Sequence, residues 1–222
     1  MDRVVVANQS QAAHTIAHGM ERALASGMKV LWLLSGGSNV AVELETLSQL
    51  HSATPENLTI GLIDERYVPL DSPDGNWNKL LAAGLTGEKA TLMPLLEGLP
   101  LEETAVNYAS KIVEASKDIN VVIGQFGIGP DGHTAGILPR SPAVHEKKRL
   151  VVGYNGPDFQ RITTTQAFFR QMDLAIAVAL GPDKREPLQR LSTDQPPDDQ
   201  PAQLLKRAKQ LIIYTDQNEG ST

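Results

Sequence analysis

Four apolar runs, each stopping abruptly at a polar or glycine-rich loop, constrain this chain more than any other feature. They are "KVLWLLSGG" (29–37), "LTIGLIDER" (58–66), "NVVIGQFGIGPDGH" (120–133) and "DLAIAVALGPDK" (173–184). Short continuous apolar runs suit strands covered on both faces, as in a parallel sheet. Between them lie stretches with helical periodicity. Residues 8–26 set Ala13, Ile16, Ala17, Met20 and Leu24 on one face, and Gly27 closes the run. Further helices are expected over 39–50, 102–116, 184–191 and 202–209, with "QLIIYTD" (210–216) as a last strand. Alternating strands and helices predict an α/β fold with a mainly parallel sheet flanked by helices. No linker divides residues 1–222, so one domain is expected, with "DQPPDDQP" (194–201) as a surface loop.

Parallel strands carry their terminal loops to one edge, where open α/β sheets bind ligands. Four loops should meet there: Ser35-Gly36-Gly37-Ser38, Asp64-Glu65-Arg66, Gly127 to His133, and Gly181 to Lys184. "LSGGSN" (34–39) leads into a helix, a setting in which backbone N–H groups and the helix dipole favour an anion. It also reads as a plain tight turn with Ser38 or Asn39 as N-cap. It has no Walker lysine, which argues against an NTPase. Asp64-Glu65-Arg66 reads either as a surface ion pair or as part of the site. Arg161, in "QRITTT", and Lys184 are single cations that matter only if an anion occupies the shared edge.

"GIGPDGHTAGILP" (127–139) has the G-x-G-x-x-G spacing of a dinucleotide loop in Gly127, Gly129 and Gly132. That reading fails on context. Pro139 stops any long helix, and Glu146 sits in "HEKKR" rather than after an apolar strand. What remains is Asp131 and His133 in a glycine-built loop. A histidine there can take a proton from water near neutral pH, and a carboxylate can orient it. His14, His18 and His51 read as surface or packing residues, and His145 has no partner motif. No cysteine is present, and His14/His18 lacks the glutamate of a metalloprotease helix, so no metal is expected.

The formal net charge of −6 and the absence of a long Lys/Arg run argue against a nucleic-acid partner, "EKKR" (146–149) being a solvated turn. "LAIAVAL" (174–180) is far too short to span a membrane. The N-terminal "MDRVVVANQSQ" shows no secretory pattern, so a cytoplasmic protein is expected.

Taken together, the loops resemble the 6-phosphogluconolactonase family, close kin to the glucosamine-6-phosphate isomerase/deaminase family. "LSGGSNV" resembles LSGGSTP, "DERYVPLDSPDGNWNKL" (64–80) resembles DERxVPxxxxxSN, and "GIGPDGHTAGILP" resembles GxGPDGHTASLFP. "RIT" and "GPDK" resemble late elements of the same family, in order along the chain. The chain departs from the pattern at Asn39-Val40, at Gly75 and at Gly136.

The resemblance implies a Rossmann-like fold of sugar-phosphate isomerase type. It also implies hydrolysis of 6-phosphogluconolactone in the oxidative pentose phosphate pathway, without a cofactor. His133 would activate the attacking water, with Asp131 beside it. Asp64 and Arg66 would line the site, while Gly36, Gly37, Ser38, Arg161 and Lys184 would hold the phosphate. Two alternatives stay open: an amino-sugar-phosphate isomerase or deaminase, and a phosphosugar-binding protein without turnover. Against the deaminase, "TAGILP" lacks the carboxylate of the IAFNEP-like segment that follows DGH in those enzymes.

Overall fold

The computed structural model describes residues 1–217. The chain begins with β1 (Asp2–Val5), α1 (Gln9–Ala25), β2 (Val30–Leu34), α2 (Val40–Ser48), β3 (Leu58–Leu62) and β4 (Asp64–Arg66). It continues through α3 (Asn76–Ala82), β5 (Thr91–Leu92), α4 (Leu101–Ser116), β6 (Val121–Phe126) and α5 (Pro142–His145). Last come β7 (Val151–Asn155), β8 (Gln160–Thr164), α6 (Gln166–Phe169), β9 (Leu174–Ala179), α7 (Arg185–Leu191) and β10 (Gln210–Thr215).

Among the described residues the strands form two sheets. Seven lie in the order β1-β10-β9-β6-β2-β3-β5, every neighbouring pair parallel. β4, β8 and β7 form a small antiparallel sheet. The central β2, Val-Leu-Trp-Leu-Leu, is buried at every position, as its continuous apolar run requires. α1 covers the sheet with Ala12, Ala13, Ile16, Ala17, Met20 and Leu24, and its N-cap Asn8 accepts the Gln11 N–H at 3.0 Å. One apolar cluster reaches from Leu31 and Leu33 of β2 to Val152 and Ile162 of the small sheet.

The run 58–66, read as a strand ending in a polar loop, is two strands, and Asp64-Glu65-Arg66 is the second of them. Tyr108 of α4 clamps the end of β3: its hydroxyl accepts from the Leu62 N–H at 2.7 Å and donates to the Leu62 carbonyl at 2.8 Å. Ile63 then donates to the Leu34 carbonyl at 2.7 Å and accepts from the Thr164 N–H at 2.9 Å. One residue thus bonds to both sheets, and Asp64-Glu65-Arg66 emerges on the small one. The segment 202–209 is also corrected. It is a 3₁₀ turn over Pro201–Arg207 with Pro201 to Leu205 all buried, leaving no polar face of the kind an amphipathic α-helix needs. β1, α3 and the β7–β8 hairpin were not expected from the sequence.

Candidate active site

Four loops and the small sheet surround a cleft of about 240 Å³ at the carboxyl edge of the large sheet. After β2 the chain runs through Ser35 and Gly36 into a 3₁₀ turn, Gly37–Asn39, which continues as α2. Ser35, Gly36, Gly37 and Ser38 line the cleft. The expected side-chain cap is not made. Asn39 instead turns its amide back to the Ser35 hydroxyl, at 3.2 Å, which fixes the turn from below. The N–H groups that open a helix have no intrahelical acceptor, so an anion in the cleft meets donors there.

β4 and β8 pair so that Asp64 lies opposite Thr163 and Arg66 opposite Arg161. The register places two arginines side by side on the cleft wall, and both line it. Each cation has a carboxylate in attendance. Arg161, only 13% exposed, bonds both oxygens of Asp158 at 2.8 and 2.9 Å. Lys184, which follows β9, lies 2.6 Å from Asp183. Arg66 stacks over Phe159 at 4.7 Å and donates to the Asp74 carbonyl at 3.2 Å. These aspartates orient the cations and mute their charge.

Asp64, the first residue of β4, is buried in the cleft wall. Burial, reinforced by the charge of neighbouring Glu65, pushes its carboxyl up to about 7 against the pull of Arg161 and Arg66. Gly136 makes room for it: φ is +60°, and a Cβ there would stand 2.6 Å from Asp64 Oδ2. Glu65 faces the other way. Its carboxylate accepts the Asn76 and Trp77 N–H groups, at 2.6 and 2.8 Å, and so caps α3. Asn76, held at the cleft by that cap, donates to the Asp64 carbonyl at 3.1 Å.

The loop after β6 carries the histidine. Gly129 N–H donates to the His133 carbonyl and Gly132 N–H to the Gly129 carbonyl, both at 2.9 Å, folding residues 129–133 into a tight turn. A Cβ on Gly129 would overlap the His133 ring, so only glycine lets the imidazole lie flat on its own loop. Asp131 Oδ1 stands 2.6 Å from His133 Nδ1 and accepts the His133 N–H at 3.1 Å. Partial burial opposes ionisation of Asp131, but the bonds and charge from His133 outweigh it and hold the carboxyl below its ordinary value. A carboxylate only accepts, so Nδ1 donates in this pair, and in the neutral ring Nε2 is the nitrogen left with a lone pair.

The structure therefore brings His133, Asp64, Gly36, Gly37, Ser38, Arg66, Arg161 and Lys184 to one cleft, with Asp131 behind His133. Ser35, Asn76, Ala135 and Gly136 also line it. Ser35 belongs to the first of the four expected loops, Asn76 is the retained residue of the Ser-Asn pair, and Ala135 and Gly136 fall in the histidine-loop motif, though none of the four was assigned a role from sequence. His145, which lacked a partner motif, lies 2.9 Å from Asp198 across the surface. His14, His18 and His51 share a shallow hollow on α1, away from the cleft. Among the described residues no group of three or more His, Cys, Asp or Glu side chains is placed to hold a metal ion, and no helix is long and apolar enough to cross a membrane.

Comparison with known proteins places this geometry. Residues 6–213 match the family model described as glucosamine-6-phosphate isomerases/6-phosphogluconolactonase. The human 6-phosphogluconolactonase is 31% identical over 186 residues, covering 78% of this chain and 72% of that protein. The 6-phosphogluconolactonase of Caulobacter vibrioides is 28% identical over 219 residues, 92% of this chain and 91% of its own. The crystal structure of 6-phosphogluconolactonase from Thermotoga maritima superposes with a TM-score of 0.83 at 22% identity, over 96% of this chain and 98% of that one. A monomeric glucosamine-6-phosphate deaminase superposes at 0.78 with 17% identity over 97% of each chain, so the fold is common to both chemistries. The match over nearly the whole chain settles membership: this protein belongs to the glucosamine-6-phosphate isomerase/6-phosphogluconolactonase family, where the human and Caulobacter vibrioides 6-phosphogluconolactonases are among its relatives.

Proposed function

We propose that this protein hydrolyses 6-phospho-D-glucono-1,5-lactone to 6-phosphogluconate, in the cytoplasm and as a step of the oxidative pentose phosphate pathway. The observation that carries the reading is the pairing of His133 with Asp131 across one cleft from Arg161, Lys184 and the Gly36-Gly37-Ser38 loop. The cationic side takes the phosphate. Arg161 and Lys184 release part of their bonding to Asp158 and Asp183 as phosphate oxygens replace the carboxylates, and loop N–H groups complete the set. Arg66 and Asp64 line the sugar between the two ends.

His133 Nε2 removes a proton from water as its oxygen attacks the lactone carbonyl. The imidazolium formed is stabilised by Asp131, already ionised. The tetrahedral intermediate collapses with cleavage of the bond from C1 to the ring oxygen. His133 returns its proton to that oxygen, which becomes the C5 hydroxyl. Water and the ester account for every atom of the product acid, and no cofactor is called for.

The deaminase alternative has less support, because the residues after His133, Thr134 to Pro139, contain no carboxylate. The deciding experiment measures hydrolysis of freshly generated lactone against its spontaneous rate, for wild type and His133→Ala. Enhancement that disappears in the variant supports the lactonase and its base together. Release of ammonia from glucosamine-6-phosphate, with no lactone turnover, would move the assignment to the deaminase.

A further inference from the structure

Glu43 takes no part in the chemistry above, yet it sits directly beneath the anion loop. It belongs to the first turn of α2 and is completely buried. Oε1 accepts the Ser35 N–H at 2.9 Å and lies 3.4 Å from the Ser35 hydroxyl, which in turn holds Asn39. Oε2 has no hydrogen-bond partner. A buried carboxylate is ordinarily paired with a cation or fully bonded. This one is neither.

The groups around it offer no compensating charge. β2 is apolar throughout, and the buried residues of α1 are Ala12, Ala13, Ile16, Ala17, Met20 and Leu24. α3 contributes buried Asn76 and Leu80, while its Lys79 bonds the Asp74 carbonyl at 3.0 Å. On α2 itself, Glu45 turns out to Ser10 at 3.0 Å. From β4 comes Asp64, whose charge opposes that of Glu43, while Arg66 and Arg161 act on Asp64. Burial, only partly offset by the bonds from Ser35 and the nearby Gly36 backbone, lifts the Glu43 carboxyl to about 8.

We propose that Glu43 is a positioning residue of the anion loop, and that the loop takes up a phosphoryl dianion together with a proton on Glu43. The inference rests on the reading that this loop receives the substrate phosphate. A dianion on the cleft side of Ser35-Gly36-Gly37 adds negative charge next to a site that already resists it. The bound anion therefore favours neutral Glu43, and by linkage neutral Glu43 favours the anion equally. The proton comes from solvent, and the Ser35 N–H keeps its acceptor throughout.

The test is calorimetric titration with 6-phosphogluconate at about pH 8.5, in buffers of different ionisation enthalpy. Its phosphate, with a second pKa of about 6, is then fully dianionic. If the anion raises Glu43 by about one pH unit, wild type takes up roughly half a proton per site. The uptake should peak on the alkaline side of neutrality, and its loss in Glu43→Gln separates Glu43 from Asp64, whose carboxyl burial also raises. Glu43→Gln keeps an acceptor for Ser35 but cannot ionise. It should lose that uptake, and its affinity should not share the weakening, up to about tenfold, that wild type shows as pH rises past 8. Binding without proton uptake by wild type, or equal uptake by wild type and variant, overturns the inference and leaves the phosphate reading standing. No binding in any buffer overturns both. The wild-type measurement decides even if the variant fails to fold.

Discussion

In the histidine loop Asp131 keeps its carboxylate half exposed beside His133, whereas beneath the anion loop Glu43 is sealed from water with one oxygen unbonded. The two acids sit under neighbouring loops of one cleft, and their environments drive them apart. Asp131 is held below its ordinary value because the His133 bonds and charge exceed its desolvation; Glu43 is lifted to about 8 because nothing cationic offsets its burial. Position relative to water and to one partner decides which acid carries charge at neutral pH. In the proposed reading the first supports a base, and the second stays out of the way of an anion.

The strongest way to break this contrast is to remove the base. His133→Ala should lower lactone turnover by ~10²–10⁴-fold, read as the rate above spontaneous hydrolysis, while 6-phosphogluconate binding persists. Next in size is the cationic side. Arg161→Ala should raise KM by ~10–100-fold, the loss of charge-assisted hydrogen bonds to phosphate, with a smaller change in kcat; steady-state kinetics separate the two. A fall in kcat alone would place Arg161 at the reacting carbonyl rather than at the phosphate. Asp131→Asn keeps the shape of the pair but removes the charge that stabilises the imidazolium. A fall in kcat of about tenfold is expected, less than for a fully buried partner because water screens this one.

The smallest effect concerns stability rather than rate. The folded-state value of Glu43, about 8, lies above the free value of 4.5, so the folded chain binds more protons between the two. Its contribution is full below 4.5 and is lost as pH rises through about 8. Thermal midpoints of wild type should therefore fall over that window more steeply than those of Glu43→Gln. Parallel curves would mean that Glu43 ionises without cost, and the contrast with Asp131 would disappear. Asp131 contributes in the opposite sense: its share is present above 3.8 and is lost as pH falls through its lowered value.

The central strands and the four loops were legible in sequence because apolar runs end there in glycine or charge, and the sheet needs both features. β1 was not, since Asp2 and Val5 are exposed and the strand has neither a buried run nor strict alternation. Nor was the β7–β8 hairpin. Its importance lies in a distant pairing that carries Arg161 to Arg66, and local pattern holds no record of register between segments so far apart. Glu43 was invisible for another reason. A glutamate in the first turn of a helix ordinarily faces solvent and complements the dipole, and only the packing of α2 under the anion loop turns this one inward. The resemblance of the loops to family motifs supplied residue roles; the carboxylates that orient the cations, Asp158 and Asp183, came only from the structure.

Arg66 and Arg161 stand directly opposite each other in the β4–β8 ladder. Like charges in that relation destabilise a cross-strand pair. The small sheet thus sets two like charges side by side, with Asp158 bonded to Arg161 and Asp74 only 3.9 Å from Arg66. A guest bearing negative charge becomes its missing counterpart, so that occupancy of the cleft and cohesion of the β4–β8 ladder rise together, and an inorganic anion too simple to react should still raise the melting point of this protein.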